Sequence, residues 1–385
     1  MATILVTGIT GTVMGSVSAL LLEKGHTIVA LVRPSKQTSP AERLQKILDV
    51  SLEARQRIFI IPGDIKQPLA GVSMEDQKRW QGKVDLAIHG AASTKFFETP
   101  DRDIHQTNVV GTQQVLSLAE VLGIPAFHHL STVFVGGDAQ EFNETEVPPQ
   151  KGRNPYEQSK IEAEAIVRGS SLRTSIYRLS IVVGDSRTGA TPTFFGYYGC
   201  AEPFWRLLQS ILQHKERWSK DGVSIGEDGS ITLPLSIPCS SVGPLHVAPI
   251  DWDAQLLANL VGIPAEGKTF HVVHPDPPKV SDAFAIGLRF LGFRGITCGN
   301  TRVDKTGPVT SSRPIQTIQV MIERALRPYA SYISLDKQRF GDEVLRETLR
   351  VHGKEYPQPP ALNKEFFERL LSFAIEKNFG ATSGE

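Results

Sequence analysis

Tyr156 and Lys160 are the pair of side chains in this sequence best suited to acid–base chemistry. They are four residues apart, so they share one face if the segment from Tyr156 to Arg168 is helical, as its pattern predicts. A nearby ammonium favours the phenolate, and we therefore expect a lowered phenol pKa and proton transfer near neutral pH. Pro155, directly before the tyrosine, is compatible with a helix start.

Two hydroxyl residues, Ser131 and Thr132, follow the apolar segment from Ala126 to Leu130, which has the pattern of a buried strand. A hydroxyl at that strand end can face the same carbonyl oxygen as Tyr156. The four-residue spacing of tyrosine and lysine is common by chance, and a solvated helix face would also explain it. The hydroxyl pair and the glycine turn described next make the catalytic interpretation more specific.

A glycine turn between the first apolar strand and the first helical segment predicts a dinucleotide site. Gly8 and Gly11 can take backbone angles that a side chain forbids, and they allow close approach to a pyrophosphate. The amides at the start of the helix would point at the phosphate oxygens. The predicted contacts are Gly8, Thr10, Gly11, Thr12 and Val13.

One position departs from the usual spacing of such turns. Met14 stands three residues after Gly11, where a third glycine is expected, and Gly15 comes one place late. Either the helix begins with a small shift, or Met14 packs where glycine would have let helix and strand come closer.

Arg33, at the end of the second strand, bears on which dinucleotide is bound. An acidic residue there would bind the adenosine 2′-hydroxyl, whereas a guanidinium offers a cationic fork for a 2′-phosphate. The sequence therefore favours NADP(H) over NAD(H), with Lys36 and Arg43 able to assist.

Further predicted contacts to the dinucleotide follow the third and fourth strands. Asp64, with Ile65 beside it, ends the third strand, where a carboxylate can accept from the adenine amino group. Ala91 and Ala92 follow the fourth strand, and small residues there let a dinucleotide lie across the strand ends. Lys95 completes this set, and Tyr156 and Lys160 join it because the lysine can hydrogen-bond the nicotinamide ribose.

The elements that must position these residues alternate between strands and helices in the first half of the chain. This pattern predicts an α/β fold of the Rossmann type, a doubly wound parallel sheet with a smaller, mostly helical C-terminal substrate domain. We expect a nucleotide-binding domain over residues 1–185, rejoined by a late strand near 269–273. A substrate-binding or lid domain would comprise residues 186–250 and 276–385.

Composition narrows the classes of function further. The 385 residues carry 41 Lys and Arg and 41 Asp and Glu, so no bulk charge attracts nucleic acid or an anionic membrane. The three cysteines are too scattered along the sequence for a zinc site or a disulfide framework. His128 and His129 are neighbours in a predicted strand, so their side chains point to opposite faces of the sheet, and we interpret both as structural. We predict no metal.

The same considerations bear on location. Met1 to Val6 enters an apolar run with no basic segment before it, which argues against a signal peptide. No apolar stretch approaches the roughly 20 residues that span a bilayer. We expect a cytoplasmic protein, and the sequence does not indicate its oligomeric state.

Several motifs together resemble the extended short-chain dehydrogenase/reductase superfamily, within it the thioester-reductase and fatty acyl-CoA reductase branch, also called male-sterility-like. The resemblance is good over about residues 3–185 and looser to about residue 280. The motifs that carry it are Thr7 to Gly11, Leu31 to Pro34, Pro62 to Ile65, His89 to Phe96, Asn108 to Thr112, Leu130 to Thr132, Tyr156 with Lys160, and Thr269 to Pro275.

The resemblance implies roles for individual residues. Thr132, Tyr156 and Lys160 would be the catalytic triad, and Asn108 would be a supporting polar residue. The branch usually continues with Arg-Pro-Gly after the triad, whereas this chain has Arg178-Leu179-Ser180, so contacts to the nicotinamide amide are not implied.

The implied activity is NADPH-dependent reduction of an acyl thioester to an aldehyde, with a second hydride able to yield the alcohol. The acyl carrier could be coenzyme A or a carrier protein docking in trans. Aromatic residues between Phe194 and Trp205 could line an acyl or pantetheine channel, or simply pack as core. The alternatives are a reductase of free aldehydes or ketones, a nucleotide-sugar epimerase or dehydratase, and a non-catalytic NADP(H)-sensing regulator.

Overall fold

A computed structural model describes residues 1–35, 38–48, 50–220, 223–264, 267–299 and 313–380. The described residues form two compact units, each assembled from three stretches of chain. The first unit comprises Met1–Val182, Ile250–Val273 and Arg339–Pro359, and the second comprises the described parts of Val183–Pro249, His274–Gln338 and Pro360–Glu385.

A seven-stranded sheet forms the centre of the first unit, and every pair of neighbouring strands in it is parallel. The strands are β1 (Thr3–Thr7), β2 (Thr27–Val32), β3 (Ile58–Pro62), β4 (Leu86–His89), β5 (Ala126–Thr132), β6 (Arg173–Leu179) and β7 (Thr269–Val272). Their order in the sheet is β3-β2-β1-β4-β5-β6-β7. The predicted doubly wound parallel sheet is confirmed.

Helices connect these strands. They are α1 (Thr12–Glu23), α2 (Pro40–Ile47), α3 (Leu52–Arg55), α4 (Met74–Trp80), α5 (Gly111–Leu122), α6 (Pro155–Arg168), α7 (Ile250–Leu260) and α8 (Glu343–Val351). One helical turn (Asp103–His105) and a π-helical segment (Gln106–Val110) lead into α5. Continuous apolar strands such as Ile4, Leu5 and Val6, all fully buried, indicate that both faces of the sheet are covered.

The strand order places a crevice between β1 and β4. From β1 the chain builds β2 and β3 outward on one side, then returns to build β4 and β5 on the other. In open parallel sheets, ligands bind beyond the carboxyl ends of the strands at this reversal point. The glycine turn after β1 and the residues after β4 therefore lie at the same edge of the sheet.

The segment Arg339–Pro359 belongs to the first unit, although the sequence placed it with the second domain. A short strand at Arg339–Phe340 pairs in parallel with Glu141–Phe142, and α8 follows. The buried Glu144 carboxylate accepts from the backbone amide of Leu345 at 3.0 Å and from that of His271 at 2.9 Å.

Glu144 also accepts from the Val344 amide at 2.5 Å, so its carboxylate caps a helix whose own N-cap residue, Asp342, makes no side-chain hydrogen bond to the backbone amides of the first turn. Burial raises the pKa of Glu144 to about 7, although the three amides oppose that shift. This contact joins residues far apart in sequence, which explains why local patterns did not reveal it.

The second unit is mostly helical, with several short strands. Its helices are Tyr197–Gln213, Lys215–Lys220, Val280–Phe290, Arg313–Leu326, Ala330–Ile333 and Lys364–Glu376. Phe194 stacks on Phe373 at 6.2 Å between ring centroids, and Tyr197 packs on Phe367 at 5.2 Å. The aromatic segment thus packs largely within its own unit, as the core alternative expects.

Membrane-spanning helices and clustered metal ligands are both missing from the parts of the chain that the structure describes. None of the helices there is both long and apolar enough to cross a bilayer. The same residues contain no group of three or more His, Cys, Asp or Glu side chains that could hold a metal ion.

Candidate active site

The glycine turn after β1 has the geometry of a phosphate-binding turn. Gly8 has a φ of +76°, and the Gly11 amide donates to the Gly8 carbonyl at 2.8 Å. A Cβ on Gly8 would lie 2.6 Å from the Ala91 amide nitrogen, so only glycine fits there. This turn brings the end of β1 against the chain that follows β4.

The N-terminus of α1 differs from those of its neighbours. Side chains cap α2, α4 and α6, through Ser39, Ser73 and Asn154 respectively. At α1 the N-cap is Gly11, which provides no side chain, and the first turn contains no acidic residue. The start of α1 thus suits an anionic ligand, as a dinucleotide pyrophosphate would require. Thr10, Thr12 and Val13 lie at this turn, as predicted.

Met14 packs where the expected third glycine would have stood. Its side chain is 1% exposed, and it lies against Gly90 at the end of β4. A Cβ on Gly90 would be 2.4 Å from Met14 Cγ and 3.2 Å from Leu130 Cδ2. Gly90, on the segment that faces α1, therefore leaves the space that the Met14 side chain occupies. Of the two alternatives considered from the sequence, the structure has Met14 packed where a glycine was expected.

Arg43 links the end of β2 to the glycine turn. Its guanidinium donates to the Arg33 carbonyl at 2.8 Å and to Thr10 Oγ1 at 3.3 Å. Arg33 itself is exposed. The structure therefore brings both predicted arginines to one side of the turn, whereas Lys36 lies outside the described residues.

Asp64 and Ile65 follow the end of β3, and their side chains differ in burial and contacts. Asp64 is half-buried, and one of its oxygens accepts from the Lys66 amide at 3.0 Å. Ile65 is buried against Gly111, where an added Cβ would be 2.8 Å from Ile65 Cδ1. Only the backbone of Ile65 could therefore contact a nucleotide.

A buried histidine fixes the chain at the end of β4. His89 Nδ1 is 2.7 Å from the Thr7 hydroxyl, and His89 Nε2 is 3.1 Å from the Thr112 hydroxyl. The Thr7 hydroxyl in turn accepts from the Ala91 amide at 3.2 Å. Burial lowers the pKa of His89 to about 3, so the ring is neutral at pH 7.

The next residues of this loop are more exposed. Ala92 is solvent-accessible, as its predicted contact with a dinucleotide requires. Lys95 forms an exposed ion pair with Asp103 at 3.2 Å, and Lys66 Nζ lies 2.5 Å from the same carboxylate. Lys95 therefore already has a partner within the chain.

Asn108 links the loop after β4 to α6 through side-chain hydrogen bonds. Its Oδ1 accepts from the Ser93 amide at 2.7 Å, while its Nδ2 donates to the Ser93 carbonyl at 2.9 Å. The same Nδ2 donates to Ser159 Oγ at 2.8 Å, and Ser159 donates to the Tyr156 carbonyl at 2.7 Å. Asn108 lies in the π-helical segment, a local departure that is frequent at functional sites. The geometry gives it a positioning role.

The Thr132 hydroxyl lies beside the Tyr156 phenol at the carboxyl end of β5, and this contact lowers the pKa of the phenol. Thr132 Oγ1 also donates to the Leu179 carbonyl at 3.1 Å. The Phe96 ring packs edge-on against Tyr156, with 6.3 Å between centroids. Phe96 lies in one of the motifs described above, but its type and position did not predict it as a site residue.

The acidity of Tyr156 differs from the sequence expectation. Burial raises the pKa of the phenol to about 12, the Thr132 hydrogen bond opposes this shift, and the Glu157 charge adds to it. The predicted lowering by Lys160 is therefore wrong for the protein without ligand, because desolvation outweighs any attraction from the ammonium.

Lys160 hydrogen-bonds to β5 rather than to the tyrosine. Its Nζ donates to the Leu130 carbonyl at 2.6 Å and lies 3.4 Å from His129 Nε2. Burial lowers the pKa of Lys160 to about 8, and the Glu164 carboxylate, one helical turn along, opposes that shift. The ammonium thus remains mostly protonated at pH 7, close to the tyrosine in sequence but bound to another element.

A fully buried ion pair between Arg178 and Glu164 also fixes α6. Arg178, on β6, donates to Glu164 at 2.8 and 3.0 Å. It also stacks over the Phe142 ring and donates to the Glu146 carbonyl. Glu164 was missed at the sequence level, although a carboxylate four residues after Lys160 was a visible signal.

Comparisons with known proteins identify a family and individual proteins that are similar to this chain. The profile of an NAD-binding family described as male sterility protein matches residues 6–220. A linear gramicidin synthase chain of Brevibacillus parabrevis is 26% identical over 297 residues, which are 73% of this chain and 5% of that protein. Fatty acyl-CoA reductase 1 of Xenopus laevis is 31% identical over 163 residues, 38% of this chain and 31% of that protein.

Among solved structures, the chain is similar to the terminal R domain from the myxalamid PKS-NRPS biosynthetic pathway. The TM-score is 0.74 at 24% sequence identity, with 98% of this chain and 92% of that chain covered. The chain spans less than a third of the length of either curated relative. The sequence similarity supports the family, and the structural similarity supports the fold.

Proposed function

Because the chain belongs to the male sterility protein family, we propose that it is an oxidoreductase that reduces an acyl thioester to an aldehyde with NADPH. The observation that carries the proposal is the placement of two hydroxyl side chains, Thr132 at the carboxyl end of β5 and Tyr156 at the start of α6, close enough for Thr132 to lower the pKa of the phenol. The glycine turn lies at the same edge of the sheet, which supports a proton donor and a dinucleotide site that would share this edge.

The residues at that edge suit a nicotinamide dinucleotide. The uncapped start of α1 would receive the pyrophosphate, and Asp64 and the backbone of Ala91 and Ala92 would flank the remainder. Arg33 and Arg43 would bind a 2′-phosphate and so favour NADPH over NADH. When bound, the reduced cofactor supplies hydride.

The protonation states favour reduction. With its pKa raised to about 12, Tyr156 is a neutral phenol at pH 7 and can donate to an oxygen that gains negative charge. Thr132 offers a second hydroxyl at the same point, and Asn108 holds the backbone of α6 through Ser159. The buried Lys160 ammonium adds positive charge one turn along that helix.

The substrate class follows from the relatives. The curated proteins that the chain resembles include fatty acyl-CoA reductases and a linear gramicidin synthase, and the structural relative is a terminal R domain. Thioester carbonyls of coenzyme A or of carrier-protein pantetheine are therefore the proposed electrophiles. Reduction would release a thiol and an aldehyde, and a second round would give the alcohol.

The test is NADPH oxidation by the purified protein with a panel of acyl-CoA, acyl carrier protein, free aldehyde, ketone and nucleotide sugar. We expect turnover with a thioester, and Tyr156→Phe should lower kcat by at least about 100-fold while NADPH still binds. Tyr356→Phe is a matched control, since that hydroxyl bonds Asp342 on the approach to α8.

The other outcomes separate the remaining functions. Turnover of only free aldehydes or ketones would replace the thioester proposal with a carbonyl reductase. Conversion of a nucleotide sugar without net NADPH oxidation would indicate an epimerase or dehydratase. Tight NADPH binding without turnover of any member of the panel would favour the sensing regulator.

A further inference from the structure

Two cysteines that are far apart in the sequence meet in the second unit. The short strands Ser236–Ile237 and Thr297–Cys298 pair in parallel, with Ile237 opposite Cys298. Cys239 follows the first strand after one residue, Pro238. The sequence spacing gave no sign of this proximity, because the three cysteines are widely separated along the chain.

The backbone holds the two residues together through one oxygen atom. The Ile237 carbonyl accepts from the Cys239 amide at 2.8 Å and from the Gly299 amide at 3.1 Å. The chain therefore turns at Pro238, and the Cys239 amide and the amide of the residue after Cys298 share one acceptor. Cys239 therefore lies two residues beyond Ile237, the strand partner of Cys298.

A side chain from a neighbouring helix fixes the same strand. Gln319 donates to the Ser236 carbonyl at 2.6 Å and accepts from the Ser236 amide at 3.0 Å. These two hydrogen bonds of the Gln319 side-chain amide hold the first strand in position beside the second. The two thiols are close enough to shift each other's pKa, so the Cys239 and Cys298 side chains approach each other in the folded unit.

The two thiols are not equivalent. Cys239 is fully buried, whereas Cys298 is half-buried. The hydrogen bond from Cys239 holds the pKa of Cys298 below its ordinary value, and the same contact together with burial raises the pKa of Cys239. The more acidic and more accessible thiol is thus the one an oxidant would meet first.

We propose that Cys239 and Cys298 are a peroxide-responsive dithiol that closes to a reversible disulfide in the folded protein. The Cys298 thiolate attacks one peroxide oxygen, the O–O bond breaks, and Cys298 becomes a sulfenic acid as the other oxygen leaves as water or alcohol. The Cys239 sulfur then displaces water from the sulfenic acid and forms the S–S bond. The two thiols together lose two electrons and two protons, and the peroxide is reduced.

The proposal is independent of the thioester-reductase proposal, since neither step uses the crevice of the first unit. Cys200 provides an internal control because it is buried and burial raises the pKa of its thiol. It should react more slowly than the Cys239–Cys298 pair.

Digestion with trypsin places the three cysteines in three different peptides, so a disulfide between any two of them can be identified by mass spectrometry. The fragments 188–206, 221–268 and 295–302 carry Cys200, Cys239 and Cys298 respectively. The full chain is treated with hydrogen peroxide, the remaining thiols are alkylated, and the fragments are mapped by mass spectrometry without reductant.

We expect fragments 221–268 and 295–302 to be joined within one chain, with two of the three thiols lost and both restored by dithiothreitol. The Cys200→Ser variant should behave in the same way. In Cys239→Ser, dimedone should trap a sulfenic acid on Cys298, and Cys298→Ser should form no linked fragment. The map of the wild-type protein does not depend on whether either variant folds.

Three results would overturn the proposal. In the first, the wild-type fragments stay separate while Cys298 proceeds to a sulfinic acid. In the second, Cys200 is oxidised before Cys298, and in the third, the linked fragments come only from two different chains.

Discussion

Replacing Gly90 with alanine tests how the crevice accommodates Met14. The added Cβ would lie 2.4 Å from Met14 Cγ, whereas carbon atoms pack comfortably at about 3.5–4.0 Å. Met14 would have to move by roughly 1 Å or more, and Leu130 Cδ2, at 3.2 Å, restricts the space available. Overpacking of this kind costs about 1–3 kcal/mol.

A double-mutant cycle with Met14→Ala isolates that contact. Met14→Ala alone should cost about 2–5 kcal/mol, because it empties a buried site. In the double variant the alanine at position 90 no longer clashes, so the two costs should not add. We expect a favourable coupling of about 1 kcal/mol or more.

The measurement should report on the first unit alone, since a protein with two compact units need not unfold in one step. Hydrogen exchange of amides in β1 and β4 gives the local free energy of opening for each variant. NADPH affinity should fall in Gly90→Ala as the start of α1 is displaced. Gly169→Ala is the matched control, because its Cβ would meet no atom closer than 3.4 Å.

Strict additivity of the two single changes would refute this reasoning. So would a Gly90→Ala protein that exchanges its β1 and β4 amides as slowly as the wild type. Either result would mean that Met14 and Gly90 are not in the contact described.

Three further predictions concern charged groups of the first unit. Arg33→Ala should weaken NADPH binding about tenfold, or about 1.4 kcal/mol, with NADH binding unchanged; equal losses for both nucleotides would contradict a 2′-phosphate role. The pKa of Lys160 is about 8 in the folded protein and has the ordinary value of 10.5 in the unfolded chain. Between these two pH values the unfolded chain binds more protons, so the free energy of unfolding should rise with pH. Lys160→Met should remove this rise, as measured by denaturation at several pH values. Arg178→Leu should cost about 3 kcal/mol in urea denaturation, because the buried Glu164 carboxylate loses its buried partner and keeps the half-buried Arg168, at 3.2 Å. An additional Glu164→Leu change should recover part of that loss.

The sequence predicted the central sheet well because its signals are local. The strand over Ala126–Thr132 begins at the residue where the predicted apolar run begins, and the first strand ends directly before the glycine turn. The glycine turn and the spacing of Tyr156 and Lys160 were likewise readable within a few residues. Each of these features depends on neighbours along the chain.

Features that depend on distant neighbours were not predictable in the same way. The capping of α8 by Glu144 joins positions about 200 apart, and neither position has a local signal for the other. The raised pKa of Tyr156 depends on burial, which a four-residue spacing cannot report. The partner of the Lys160 ammonium, the Leu130 carbonyl, depends on how α6 packs against β5.

The contact between Glu144 and α8 has a consequence for how this protein can be divided. Because the two units are interleaved along the chain, no single cut yields an intact copy of either. A shortened polypeptide ending at Gln338 would retain all seven strands of the sheet but would leave the Glu144 carboxylate stripped of two of its three amide donors. Anyone wishing to excise the nucleotide-binding half should therefore keep the piece from Arg339 to Pro359, joined back by a linker or supplied as a separate peptide.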